Sequence, residues 1–397
     1  MPKIVNAWNE WDPLKRLILG RPGGSHVAAP EPAAYSHQPE GGYPLGTYGP
    51  YPQEAVDAAN EQMDYFVEKL EERGVIVDRV EVHPYLEEVN SFGTPDWTAM
   101  NFRGTNCPRD LFMPVGNEII EAPGVLRTRW FEYLCLRPLF ERYFKEDPEF
   151  LWTAAPKPRL TNDSYKKNYW YNLKNVWTEE EKAQMALDWD FVYTEKEPLW
   201  DAAAAARCGK DVFMSVGNAC NKAGFDWLKR YFGARGIRFH HILWDTIMDG
   251  PSPMWGYGGG HIDVLLLPFR PGLFIHNPQK PIATPELLEL IKLNDWEVVE
   301  AADPTHIYPG EITSWGATKE PQTSWISMNT LSLDEKTVFV EAHELKYIDQ
   351  LTKLGFEVIP IPYDKAEIFG GSLHCTTVDV FREGDCVDYF PKQVKGY

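Results

Sequence analysis

An α/β fold of about five similar units set round a common axis is what this sequence predicts, and three observations carry the prediction. The run Cys107-Pro-Arg-Asp-Leu-Phe-Met-Pro-Val-Gly-Asn-Glu returns later in the chain as Cys208-Gly-Lys-Asp-Val-Phe-Met-Ser-Val-Gly-Asn-Ala. Looser copies of the same outline, a polar residue leading into a short apolar run, begin at His261, Ser327 and His374. Helical stretches lie between several of these copies, each followed by a further strand-like run. A strand–strand–helix–strand unit cannot bury its apolar face alone. Neighbouring units therefore stack, and polar strand ends that face one way converge on an axial site.

The chain opens with Asn6-Ala-Trp-Asn-Glu-Trp-Asp-Pro-Leu and enters a Pro/Gly/Tyr-rich tract at residues 28–51. That tract is too rich in turn formers for a helix or central strand, so a long loop able to cover a cleft is expected. Residues 54–74 carry apolar positions at helical spacing and a glycine stop, and residues 75–82 read as a strand. The first repeat copy sets Asp110 at the mouth of an apolar strand that ends on a Gly-Asn turn. The second sets Asp211 in the matching place and leads to a helix at 223–232. His261-Ile-Asp-Val-Leu-Leu-Leu-Pro precedes the strand Gly272-Leu-Phe-Ile, and Ser327-Met-Asn-Thr-Leu-Ser-Leu precedes Asp334-Glu-Lys-Thr-Val-Phe-Val. A helix at 344–353, a strand at 356–361 and the last copy, His374-Cys-Thr-Thr-Val-Asp-Val-Phe, complete the series.

At 397 residues the chain has room for two or three average domains, but the repeat favours a single domain spanning 1–397. A hydrophobic content of 44% with 24% charged residues places it among folded globular proteins. The net charge of −19, without a Lys/Arg run, opposes a phosphate backbone and argues against a nucleic-acid partner. The N-terminus has no apolar signal region and no later run is long enough to span a bilayer, so a cytoplasmic chain without a membrane partner is expected. Six cysteines without CxxC or zinc-type spacing read as reduced thiols, with no metal site.

Four segments bring ionisable residues to strand ends: Arg109-Asp110, Trp200-Asp201, His261-Ile262-Asp263 and His374-Cys375. Residues two apart in a strand share a face, so His261 and Asp263 are expected to point into one cavity. A guanidinium is planar, permanently charged and weakly electrophilic. Chemistry on it needs carboxylates to hold it, a strong nucleophile and an acid for the departing amine. Asp110 and Asp263 suit the first role, Cys375 the second, and His261, oriented by Asp201, the third. The plainer alternative is an inert buried thiol and aspartates that only make turns.

Four runs carry a resemblance that covers nearly the whole chain: the opening Asn6 run, Pro108-Arg-Asp with Val115-Gly-Asn-Glu-Ile-Ile-Glu-Ala-Pro, Ala155-Pro-Lys-Pro, and Gly370-Gly-Ser-Leu-His-Cys-Thr-Thr-Val-Asp. Together they resemble the glycine amidinotransferase family of the pentein fold, a five-fold pseudo-symmetric α/β propeller. The resemblance implies a catalytic cysteine at Cys375, an acid/base histidine at His261 paired with Asp201, and guanidinium-binding carboxylates at Asp110 and Asp263. It also implies a ping-pong transfer through an amidino-cysteine, with ornithine released from arginine and no cofactor. A homodimer is compatible with it.

Several positions depart from the family pattern and bear on the substrates. Ala204 replaces a second Asp, and Lys280 replaces an arginine expected on the donor's carboxylate. Gly260, closing a Gly256-Tyr-Gly-Gly-Gly stretch, replaces a Met before the histidine, and Gln322 and Thr323 stand where serines would contact that carboxylate. Arg109, beside Asp110, joins the candidate substrate contacts. A reshaped mouth makes glycine a poor acceptor and a larger amine, in specialised-metabolite biosynthesis, a better one. The rival readings are a hydrolase of the same fold, in which water resolves the amidino-cysteine, and a non-catalytic protein that binds guanidino compounds.

Overall fold

A computed structural model describes residues 3–29, 31–32, 48–88, 91–169, 172, 175–244, 260–305 and 324–397. Among them, five three-stranded sheets share one plan. A central strand pairs antiparallel with one neighbour and parallel with the other. A parallel partner needs a crossover, and the helices Gln53–Glu72, Tyr133–Glu146, Lys222–Gly233, Pro285–Leu293 and Leu345–Lys353 supply it, one per sheet.

Four of the central strands are buried throughout, Glu118–Glu121, Asp211–Ser215, Leu273–His276 and Thr337–Glu341, and Leu14–Leu19 is exposed only near its start. The third strands, such as Leu151–Ala154 and Glu297–Glu300, are half exposed. Each helix covers its sheet with an apolar stripe. In Gln53–Glu72 the buried residues Val56, Ala59, Met63, Phe66 and Leu70 follow the three- and four-residue steps of one helix face, and Gly74 supplies the positive φ of 78° that ends the turn. One sheet joins the chain ends: Thr377–Arg382 pairs antiparallel with Leu14–Leu19.

The closest sequence repeat turns out to align strands that are not equivalent. Phe112–Val115 is the first strand of its sheet, whereas Asp211–Ser215 is the central strand of the next. Both are buried apolar runs followed by Gly-Asn, and that shared chemistry produced the match. Asp211 accordingly sits away from Asp110's position, paired with Arg238 and His240. The true equivalents of Asp110's segment are the 3-10 turns Ala202–Ala204 and Ile262–Val264, each leading into the first strand of its unit.

These turns touch in sequence: Pro108–Asp110 packs on Ala202–Ala204, which packs on Ile262–Val264, which packs on Ser324–Met328. Asn329 then hydrogen-bonds the Cys375 segment, and the strand Thr377–Arg382 contacts Pro108–Asp110 again. Residues that begin five units thus gather at one place. Most of the expected loop at 28–51 lies outside the described residues, but its flanks pair as a short ribbon, His26–Val27 with Gly49–Pro50.

Candidate active site

Each chemistry-bearing side chain comes from one of these turns. Asp110 ends the turn Pro108–Asp110, Asp201 directly precedes Ala202–Ala204, and His261 directly precedes the turn that contains Asp263. His261 and Asp263 therefore meet through a 3-10 turn and not through strand alternation, which corrects the sequence argument. Cys375 lies in the turn before Thr377–Arg382. The Gly370-Gly371 pair explains that approach. Gly370 has a φ of 112°, and a Cβ on Gly371 would fall 2.3 Å from the Cys375 Cβ.

The Cys375 sulfur is the centre of the site. It lies 3.0 Å from Asp263 Oδ2 and receives the Asn329 Nδ2–H at 3.0 Å. Asp110, His261 and Cys375 each offer an atom within 4.8 Å of the others. His261 is held between two carboxylates, with Nδ1 3.5 Å from Asp110 Oδ1 and Nε2 3.3 Å from Asp201 Oδ2. Asp110 Oδ2 is gripped by Arg129, whose Nε in turn donates to Glu132 at 2.7 Å. Among the described residues, Asp110 Oδ1 and Asp263 Oδ1 are buried without a hydrogen bond.

Burial and the concentration of carboxylates set the charges. Burial, joined by the negative Asp263 and Asp110, pushes the Cys375 thiol well above its ordinary range. Burial alone would lower His261, but Asp110, Asp201 and Asp263 outweigh it and raise the imidazole to about 9. Burial raises Asp201, against the opposing pull of His261. Asp263 also pays for burial, yet the His374 hydrogen bond and charge hold it below the usual carboxylate range. The resting site is thus a protonated thiol and an imidazolium among carboxylates with vacant lone pairs. A planar cation bearing N–H donors fits that deficit.

Beneath the site lies a second charged cluster that the sequence reading did not find. His374 Nδ1 contacts Asp263 Oδ2 at 3.0 Å and its Nε2 faces Glu10 Oε2 at 3.5 Å. Glu10 is paired with Arg207 at 2.8 Å, and Asp379 is bound by Arg109, Arg207 and Arg382. The opening Asn-Glu-Trp-Asp run was the available signal: it delivers Glu10, 4% exposed, to the underside of the site.

The structure brings Cys375, His261, Asp201, Asp110 and Asp263 together and takes Arg109 out of the set. Arg109 donates to the His374 carbonyl at 2.7 Å and to Asp379 at 2.8 Å, so its guanidinium braces the floor of the site. Lys280, 2% exposed, lies in the turn after Leu273–His276, and its carbonyl accepts from His276 Nε2 at 2.6 Å. Gln322 and Thr323, and residues 256–259 of the glycine stretch, lie outside the described residues. Asn329, which holds Cys375, and Arg129, which holds Asp110, were missed because neither type signals chemistry without its neighbours.

No family model matches the chain. It is 34% identical over 389 residues to the mitochondrial glycine amidinotransferase of Xenopus laevis, covering 97% of this chain and 85% of that protein. It is 32% identical to the L-arginine:L-lysine amidinotransferase of Pseudomonas savastanoi pv. phaseolicola, over 97% of this chain and 96% of the relative. Among solved structures, SxtG, an amidinotransferase of the saxitoxin biosynthetic pathway from Microseira wollei, superposes with a TM-score of 0.81 at 33% identity. That match covers 97% of this chain and 99% of SxtG.

Proposed function

The chain belongs to the glycine amidinotransferase family, and we propose that it takes the amidino group of arginine onto Cys375 and delivers it to an amine larger than glycine. The observation that carries this reading is that Asp110 and Asp263, each with a buried oxygen that makes no hydrogen bond, both lie close to the Cys375 sulfur. A guanidinium placed between them fills both oxygens and sets its carbon against the nucleophile.

In the first half-reaction the sulfur forms a bond to the guanidinium carbon and the bond from that carbon to the donor's nitrogen breaks. His261 gives its own proton to the departing amine of ornithine and takes up the thiol proton in its place. His261 starts as the acid because its imidazole is raised to about 9. In the second half-reaction the acceptor nitrogen bonds to the amidino carbon, the carbon–sulfur bond breaks, and His261 carries the acceptor's proton back to the sulfur. The bound cation also offsets the carboxylates that keep Cys375 a thiol, so the nucleophile forms only in the complex. Asp201 orients His261, and Lys280 takes the donor's carboxylate.

The acceptor reading rests on Gly260, which removes a side chain beside His261. Similarity to enzymes named for lysine transfer and for saxitoxin biosynthesis supports an acceptor other than glycine and a place in specialised metabolism. The five units are read as one domain over 1–397 whose sheets close into a five-fold pseudo-symmetric propeller. Successive contacts among the turns favour that closure.

Mass spectrometry after incubation with arginine and a panel of amines tests the reading. Ornithine plus a new guanidine is expected. Citrulline would make water the acceptor, and the absence of both products would overturn the transfer. Protein quenched with arginine alone should carry an amidino adduct on Cys375, and steady turnover by the Cys375→Ala variant would remove that residue from the mechanism.

A further inference from the structure

We propose that Asn329 is a catalytic residue, its side-chain N–H serving as the donor that stabilises the Cys375 sulfur whenever that sulfur carries negative charge. The proposal rests on the reading of Cys375 as the nucleophile.

Asn329 is 1% exposed and follows the turn Ser324–Met328. Its Oδ1 lies 2.9 Å from the Cys375 backbone nitrogen and 3.1 Å from that of His374. Both are N–H donors, so the atom facing them must be the carbonyl oxygen. The amide orientation is fixed by this, and Nδ2 is left facing the Cys375 sulfur at 3.0 Å. Among the described residues it is the one hydrogen-bond donor to that sulfur. The same side chain therefore clamps the backbone of the nucleophile and reaches its reacting atom.

The surroundings make such a donor necessary. Asp263 Oδ2 is 3.0 Å from the sulfur and Asp110 is close by, so two carboxylates oppose a thiolate that His261, within 4.8 Å, favours. Substrate offsets those carboxylates during attack. In the second half-reaction, however, the sulfur departs from the amidino carbon while the positive charge leaves on the product. At that moment a fixed, buried N–H stabilises the departing sulfur without reorganisation. An aspartate at this position would keep an oxygen for the two backbone N–H groups but present a second oxygen to the sulfur.

The test compares wild type with Asn329→Asp and Asn329→Ala, each judged by thermal unfolding before use. Alkylation of Cys375 by iodoacetamide across pH reads the thiolate directly and does not depend on amidino transfer. The folded variants should alkylate at least about tenfold more slowly at a given pH, and transfer should fall by about 10²–10³-fold, the cost typical of losing one such donor. Wild-type alkylation in either folded variant would reduce Asn329 to a backbone clamp and overturn the proposal. If wild type alkylates in an Asn329-dependent way but transfers nothing from arginine, this inference stands and the transferase reading falls.

Discussion

Two clusters of buried carboxylates meet at His374, and they are opposites. In the lower one, every oxygen of Glu10 and Asp379 has a donor, from Arg109, Arg207, Arg382 or His374. Burial would raise both carboxyls, but the arginines beside them hold both below the ordinary range. In the upper one, Asp110 and Asp263 each keep an unfilled oxygen, and the Asp201 carboxyl, the Cys375 thiol and the His261 imidazole are all displaced upward. Burial is the same in both, so depth does not separate scaffold from site. Charge balance does: the lower cluster is complete, and the upper one keeps carboxylate oxygens without a donor, as the proposed cationic substrate requires.

The sharpest way to break this comparison is to remove one member from each cluster. Cys375→Ala should abolish turnover while leaving the unfolding midpoint close to wild type, because the lost atom was serving chemistry. Asp379→Asn should do the reverse. It strands buried arginines, and removing one partner of a buried ion pair typically costs about 3–5 kcal/mol, read by denaturant titration. If Asp379→Asn unfolded like wild type, or Cys375→Ala lost stability on that scale, the division into scaffold and site would fail.

Next in size is His261→Ala, expected to slow both half-reactions by about 10²–10⁴-fold, as loss of a general acid/base typically does. Rapid-quench measurement of ornithine release and of acceptor guanidination would separate the two steps. A variant within a few-fold of wild type would move the proton transfer elsewhere.

The contrast also shows what the sequence made legible. That Cys375, His261, Asp201, Asp110 and Asp263 would lie together was readable because residue types tied to chemistry stood beside strand ends and inside recognisable motifs. The strand order within each unit was less readable, since buried inner strands are all apolar and the best internal match paired a first strand with a central one. The lower cluster was unreadable for another reason. Glu10, Arg109, Arg207 and Asp379 come from four distant parts of the chain, and only the packing of the units against one another makes them neighbours. Arg109 looked like a substrate contact because it adjoins Asp110, but adjacent residues in a tight turn point apart.

A smaller effect should appear in the titration of His261. Its imidazole stands at about 9 against an ordinary 6.5, with Asp110 and Asp201 as the raising neighbours. The stability it contributes is complete below its ordinary value and is lost as pH rises through about 9. Asp201→Asn should move the midpoint down towards 6.5, as followed by the ring proton resonance. An unmoved midpoint would mean that Asp201 does not set the charge of His261.

The smallest predicted effect concerns a cation. Burial lowers Lys280 to about 8. A lysine that holds the donor's carboxylate loses its grip as it deprotonates, so KM for arginine should climb as pH passes from 7 through 9, by no more than about tenfold per pH unit. The kcat should change less until pH nears about 9, where His261 loses the proton it gives to the departing amine. Lys280→Arg keeps the charge across this range and should flatten the profile, even if the larger fork fits less well. A KM that is level from pH 7 to 9 in wild type would take Lys280 off the donor.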